Sequence, residues 1–141
     1  MNREKIIEIG ISVIGNWKGG MGIESLEIYS ISRNLSNSVW RIYSEMGQEN
    51  KVLFGRQLVR SVDSVGANIA EGFGRYHYLD SVKFYYNARG SLSEAKHWIQ
   101  LLGERGLFDK DQGDTILSDM ELLGKQLNGF INATKRKATT K

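Results

Sequence analysis

Two neighbouring stretches decide the architecture: SVDSVGANIAEGFGR, residues 61–75, and FYYNARGSLSEAKHWI, residues 84–99. In the first, Val62, Val65, Ile69 and Phe73, extended backwards by Leu58, recur at steps of three and four, the interval that returns to one face of an α-helix. In the second, Tyr85, Ala88, Leu92, Ala95 and Ile99 do the same, with Tyr78 and Val82 before them and Leu102 after. Phe84, Trp98 and Leu101 broaden that stripe enough to face more than one neighbour. The glycine pair Gly72 and Gly74 reads as the end of the first helix, and Gly103 or Gly106 as the end of the second.

Working outward, Ile28, Ile31, Leu35, Val39, Ile42 and Met46 form an earlier stripe of the same spacing, with its exit at Gly47 and Gln48. Asp109 and Gln112 have the separation of a capping box, and Ile116, Met120, Leu123, Leu127 and Phe130 follow as a fourth stripe. There is no proline to break a helix. Four amphipathic helices joined by short links cannot each bury an apolar face alone, so the expected fold is all-α, an antiparallel up-down-up-down four-helix bundle over residues 23–133. Trp40 and Tyr86 fall off the apolar stripes, and with the broad face of the third helix they leave surface that a homo-oligomer would cover.

The ends read differently. Residues 134–141 are basic and polar, and are expected to be a disordered tail. Residues 1–22 form an N-terminal extension in which Ile7, Ile9, Ile11 and Val13 alternate as in a strand, without a second strand to pair with. Three readings fit it: an extra helix, an arm docked on a neighbour, or translated upstream sequence, since Lys18-Gly19-Gly20 ahead of Met21 can be encoded by a purine-rich ribosome-binding stretch.

The net charge of +3 is unevenly spread: residues 1–50 carry 5 basic and 6 acidic side chains, residues 51–105 carry 8 and 5. Such a lean is weaker than the dense basic stripe of a dedicated nucleic-acid binder. With no cysteine, disulfides, thiolate metal sites and cysteine nucleophiles are excluded. No apolar run reaches the roughly 18 residues a membrane span needs, and Glu8 interrupts the only stretch resembling a signal peptide. A cytoplasmic protein with no membrane contact is expected.

The two opening stretches also carry a resemblance. Ser64, Asn68, Ile69, Ala70, Glu71, Gly72 and Arg75 match the S-x-x-x-N-I-A-E-G-x-x-R pattern of the 23S rRNA-intervening-sequence protein family, and Ala88, Arg89, Gly90, Ser91, Leu92 and Glu94 match its A-R-G-S-L-x-E pattern. The chain resembles that family over about residues 25–133. The resemblance implies a left-handed four-helix bundle, in members often a ring-shaped pentamer, sometimes encoded within rRNA genes, with no enzymatic activity. Proteins of similar fold include the accessory subunit of diversity-generating retroelements, which binds a reverse transcriptase and nucleic acid.

Candidate sites follow from the polar faces. Gln57, Ser61, Ser64, Asn68, Glu71 and Arg75 form a second stripe on the second helix, and Asn87, Ser91 and Glu94 a matching set on the third. A structural polar network of Ser64, Asn68, Glu71, Asn87, Ser91 and Glu94, drawn close by Gly66 and Gly90, is the simpler reading; a ligand site is the sharper one. Arg56, Arg60, Arg75, Arg89 and Lys96 are candidate nucleic-acid contacts, their bland alternative being ion pairs with Asp63, Glu71 and Glu94. Tyr76, His77, Tyr78, Tyr85 and Tyr86 could stack on unpaired bases or fill a core. Glu94 and His97 form one Glu-x-x-His pair, whereas a carboxylate-bridged di-metal bundle needs two plus two further glutamates, so no metal, cofactor or small-molecule substrate is expected. Neither glycine-rich stretch has the spacing of a P-loop or a dinucleotide fingerprint. The functional expectation is a non-enzymatic oligomeric scaffold or adaptor, with structured RNA or a nucleic-acid-processing protein as partner; a protein–protein interaction module without a nucleic-acid role, and more remotely a metal-binding bundle, are the alternatives.

Overall fold

The computed structural model describes residues 22–139, and within them the chain is all-α. The readings of the N-terminal extension fall on residues outside these. A 3-10 turn, Ile23–Ser25, leads into α1 (Glu27–Glu45); α2 (Arg56–Phe73), α3 (Tyr78–Glu104) and α4 (Lys110–Thr139) follow. The second rod starts earlier than its apolar stripe. One α-helical turn, Gln48–Asn50, and a π-helical turn, Lys51–Gly55, run into α2 with the backbone in the right-handed helical region throughout the junctions. Only Met46 and Gly47, both extended, make the corner after α1.

Contacts between helices fix their directions. Between α1 with its corner and the second rod, Gly66 of α2 meets Ser32, and Gly55 of the π-helical turn meets Tyr43 and Met46. On α2 and α3, Gly72 meets Tyr85, and the Ser64 and Ser91 hydroxyls bond at 2.9 Å. On α3 and α4, Tyr86 meets Lys135, Arg89 meets Asn128 and Lys96 meets Glu121. In each series one number rises as the other falls, so consecutive helices run antiparallel. Helix α4 closes the bundle by packing on α1 as well as on α3.

All four stripes are where their spacing puts them. Leu35, Val39 and Ile42 on α1, Leu58, Val62 and Ile69 on α2, Tyr85, Ala88, Ile99 and Leu102 on α3, and Met120, Leu123 and Leu127 on α4 are buried in one core. Burying each large aliphatic chain stabilises the fold by about 1.5–3 kcal/mol before the entropy of ordering it is subtracted.

Helix α3 ends at Gly106, whose φ of +73° belongs to the left-handed region. The Leu107 N–H then reaches the Leu102 carbonyl at 3.1 Å and the Gly106 N–H the Gly103 carbonyl at 3.0 Å, the paired closure of a Schellman cap. Gly103 lies inside the helix. At the start of α4, Gln112 Oε1 accepts the Asp109 N–H at 3.3 Å, the returning arm of the capping box.

The tail departs from expectation. Residues 134–139 continue α4 instead of fraying. Thr134 is buried and donates its hydroxyl to the Phe130 carbonyl at 2.7 Å, Lys135 reaches across to Tyr86 at 3.2 Å, and Arg136 and Lys137 stand in the last turn, where cations complement the helix dipole. Residues 140 and 141 lie outside the described part of the chain.

Candidate nucleic-acid interface

The polar rows on α2 and α3 meet only at their centre. Ser64 Oγ and Ser91 Oγ are 2.9 Å apart, and Asn68 Nδ2 donates to the Ser64 carbonyl at 2.9 Å and to its hydroxyl at 3.0 Å. These three side chains are half-buried and satisfy one another, a seam that sets the register of the two helices. The other three expected members stay outside it. Glu71 is exposed and bonds Arg75 at 2.8 Å, Glu94 accepts the Trp98 indole N–H at 3.3 Å, and Asn87 is exposed. Gly66 draws α2 close to Ser32 of α1, not to α3, and Gly90 has open space where a Cβ would stand.

The cationic residues do not form one patch. Arg56 opens α2 and Arg75 lies just past its far end, with about 25 Å of helix between them. Arg60 donates to Gln57 at 2.8 Å on its own helix. Arg75, paired with Glu71, also lies over the Phe84 ring at 4.5 Å, tying the end of α2 to the start of α3. Lys96 is paired with Glu121 across α3 and α4 at 3.4 Å. Such exposed pairs each contribute little to stability.

Arg89 is placed differently. Its guanidinium donates to the Asn128 side-chain oxygen at 3.2 Å and lies 4.7 Å from the Tyr86 ring centroid. Lys135 approaches the same ring from α4, 5.8 Å from the centroid, and donates to the phenol oxygen at 3.2 Å. Both cations are therefore held by neutral partners. The two stretches that carry them are free of acid: residues 81–93 contain Lys83 and Arg89 and no carboxylate, and residues 122–139 contain Lys125, Lys135, Arg136 and Lys137 and none. The contacts of Tyr86 with Lys135, Arg89 with Asn128, and Leu92 with Gly124 lay these two stretches side by side. The sequence offered Arg89, the basic tail and Tyr86 separately; their convergence depends on α4 continuing past residue 133.

Two other features stand apart from this convergence. A cleft of about 430 Å³ at the opposite end, between the end of α3 and the start of α4, is lined by Ile99, Phe108 and Leu117 with Glu104, Lys110 and Asp114. Its lysine is already bonded to Asp114 at 2.9 Å, an interaction that raises the lysine pKa. His97 is exposed against Trp98, and among the described residues no three His, Asp or Glu side chains converge as metal ligands would.

The model of the 23S rRNA-intervening sequence protein family matches residues 24–129. The chain belongs to that family. One solved member of the S23 ribosomal protein family, a protein of unknown function from Bacteroides thetaiotaomicron, is similar with a TM-score of 0.69 and 22% identity over 74% of this chain and 97% of its own. That likeness shows the shared bundle. No curated protein matches the chain. The match ends within α4, before Lys135, so the ring-bracketing lysine lies beyond the part the family model covers.

Proposed function

We propose that this member of the 23S rRNA-intervening sequence family is a non-catalytic, cytoplasmic adaptor that self-associates and binds RNA through the basic end of its α3–α4 face. The observation that carries the reading is the acid-free pairing of residues 81–93 with residues 122–139, which sets Arg89 and Lys135 on rigid helices with neutral partners. Cations held this way keep their charge available to phosphate and need not give up a carboxylate to bind it. Among the described residues no helix is long and apolar enough to cross a membrane.

Self-association is supported by apolar side chains that one bundle leaves in water. Trp40 and Leu53 are each 55% exposed, and Val52 is exposed with them; all three belong to the end of the bundle around the α1–α2 corner. Light scattering of the purified protein with and without total cellular RNA, at low and raised salt, tests both parts. The expected particle is a multiple of one chain that gains mass with RNA at low salt and loses it at high salt. A monomer would remove the assembly, and a particle indifferent to RNA at every salt concentration would remove the RNA role.

A further inference from the structure

Beyond a diffuse attraction for phosphate, the α3–α4 face has the parts of a site for one unpaired nucleotide. Tyr86 is 38% exposed, and two cations approach its ring, Arg89 at 4.7 Å from the centroid and Lys135 at 5.8 Å with its ammonium on the phenol oxygen. Its phenol oxygen is engaged by Lys135, and the ring stands on a helix rather than a loop, so its position is set before any ligand arrives. Four residues on, and so on the same side of α3, is Gly90, where nothing lies within 4 Å of a would-be Cβ. A glycine inside a long helix costs about 1 kcal/mol relative to alanine. At Gly66 and Gly72 a tight neighbour accounts for that cost; at Gly90 no neighbour in this chain does.

We infer that Tyr86, Arg89, Lys135 and the space over Gly90 bind an unpaired nucleotide of a single-stranded polynucleotide, with the base stacked against the tyrosine above Gly90 and the two cations on the flanking phosphates. Stacking on an aromatic face with cations alongside is how sequence-tolerant single-strand sites are built. A protein segment is the less suitable occupant, because an acidic peptide would use the cations but not a flat ring beside an empty helix position. The inference rests on the RNA-binding reading above and narrows it to one place.

The test is fluorescence anisotropy with a labelled twelve-nucleotide oligouridine and with a blunt RNA duplex of the same length, over a salt series. Wild type is expected to prefer the single strand. Tyr86→Ala is expected to weaken single-strand binding about tenfold with the salt dependence unchanged. Arg89→Gln with Lys135→Gln should flatten the slope of log affinity against log salt by about 1.4, the contribution of two phosphates on a single strand. Gly90→Leu, which favours the helix and removes no charge, should weaken binding several-fold at constant slope. Arg56→Gln, one charge removed at the other end of the bundle, measures the general electrostatic loss. Urea midpoints confirm that each variant is folded, and Gly90→Leu keeps the test decisive if Tyr86→Ala is not. Wild type failing to bind either RNA at low salt would overturn the functional reading itself. Wild type binding single strands with Tyr86→Ala or Gly90→Leu unchanged would overturn this site alone, as would tighter binding to the duplex.

Discussion

Gly72 and Tyr85 are in contact so close that a Cβ on Gly72 would stand 2.6 Å from Cε1 of the tyrosine ring and 3.0 Å from the Ser81 carbonyl oxygen. Neither can withdraw: the ring is wholly buried and packs edge-on against Phe130 at 5.1 Å, and the carbonyl belongs to the backbone of α3. Gly72→Ala is therefore expected to destabilise the bundle by about 1–3 kcal/mol, the range for overpacking a filled core, even though alanine is the better helix former. Urea denaturation followed by circular dichroism reads the difference. A midpoint at or above that of wild type would mean that α2 and α3 are not in this contact.

Gly90 predicts the opposite sign. With open space around its would-be Cβ, Gly90→Ala adds no clash and removes a flexible residue from the middle of a 27-residue helix. The expected gain is about 0.5–1 kcal/mol. The same denaturation experiment checks it, and a loss of stability would show that the position is covered in the folded protein in solution, most simply by a second copy of the chain.

These two glycines also mark what could be read from sequence. The four stripes were legible because a period of 3.6 residues shows which face of a helix is apolar, and every residue of the α2 stripe is buried. Periodicity does not say which neighbour a face meets. Gly66, expected to bring α2 and α3 together, lies against α1, and Gly90 points away from every helix; both answers depend on how the helices are rotated in the bundle. Likewise Ser64 and Ser91 share one seam, while Glu71, Asn87 and Glu94, from the same rows, stand outside it. The tail misled for another reason. Its composition is that of a solvated strand of chain, but Thr134 lies one turn beyond Phe130 and Ile131 on the core face, and burial of one side of a helix can hold a polar turn in place.

The seam supplies a prediction of coupling. Ser64 and Ser91 exchange one hydroxyl hydrogen bond, and Asn68 adds a second to Ser64. Replacing either serine by alanine leaves the other half-buried hydroxyl short of a partner, whereas replacing both removes the mismatch. A double-mutant cycle of Ser64→Ala and Ser91→Ala should accordingly give a coupling energy of about 0.5–1.5 kcal/mol, the double variant being more stable than the sum of the singles implies. Additive effects would mean that the two hydroxyls are solvated independently.

Tyr85 brings a pH dependence. Its hydroxyl is buried and closes no hydrogen bond, the neighbouring Ser81 hydroxyl being directed to the His77 carbonyl at 3.2 Å. Burial pushes the phenol pKa well above its ordinary value of 10.0, against a weaker opposite pull from Ser81. The charged form is the one disfavoured in the fold, so the folded state keeps a proton that the unfolded chain releases above pH 10 or so. Stability from this group is intact below that pH and declines as pH rises beyond it, by up to about 1.4 kcal/mol per pH unit. Tyr85→Phe eliminates both the ionisation and the unpaired oxygen. It should match or slightly exceed wild type at pH 7. Between pH 9 and 11.5 its urea midpoint should fall less steeply than that of wild type, the other five tyrosines contributing equally to both chains. Parallel declines would place the Tyr85 hydroxyl in contact with water, and the core between α3 and α4 would then have to be looser around Phe130 than the edge-on packing of the two rings describes.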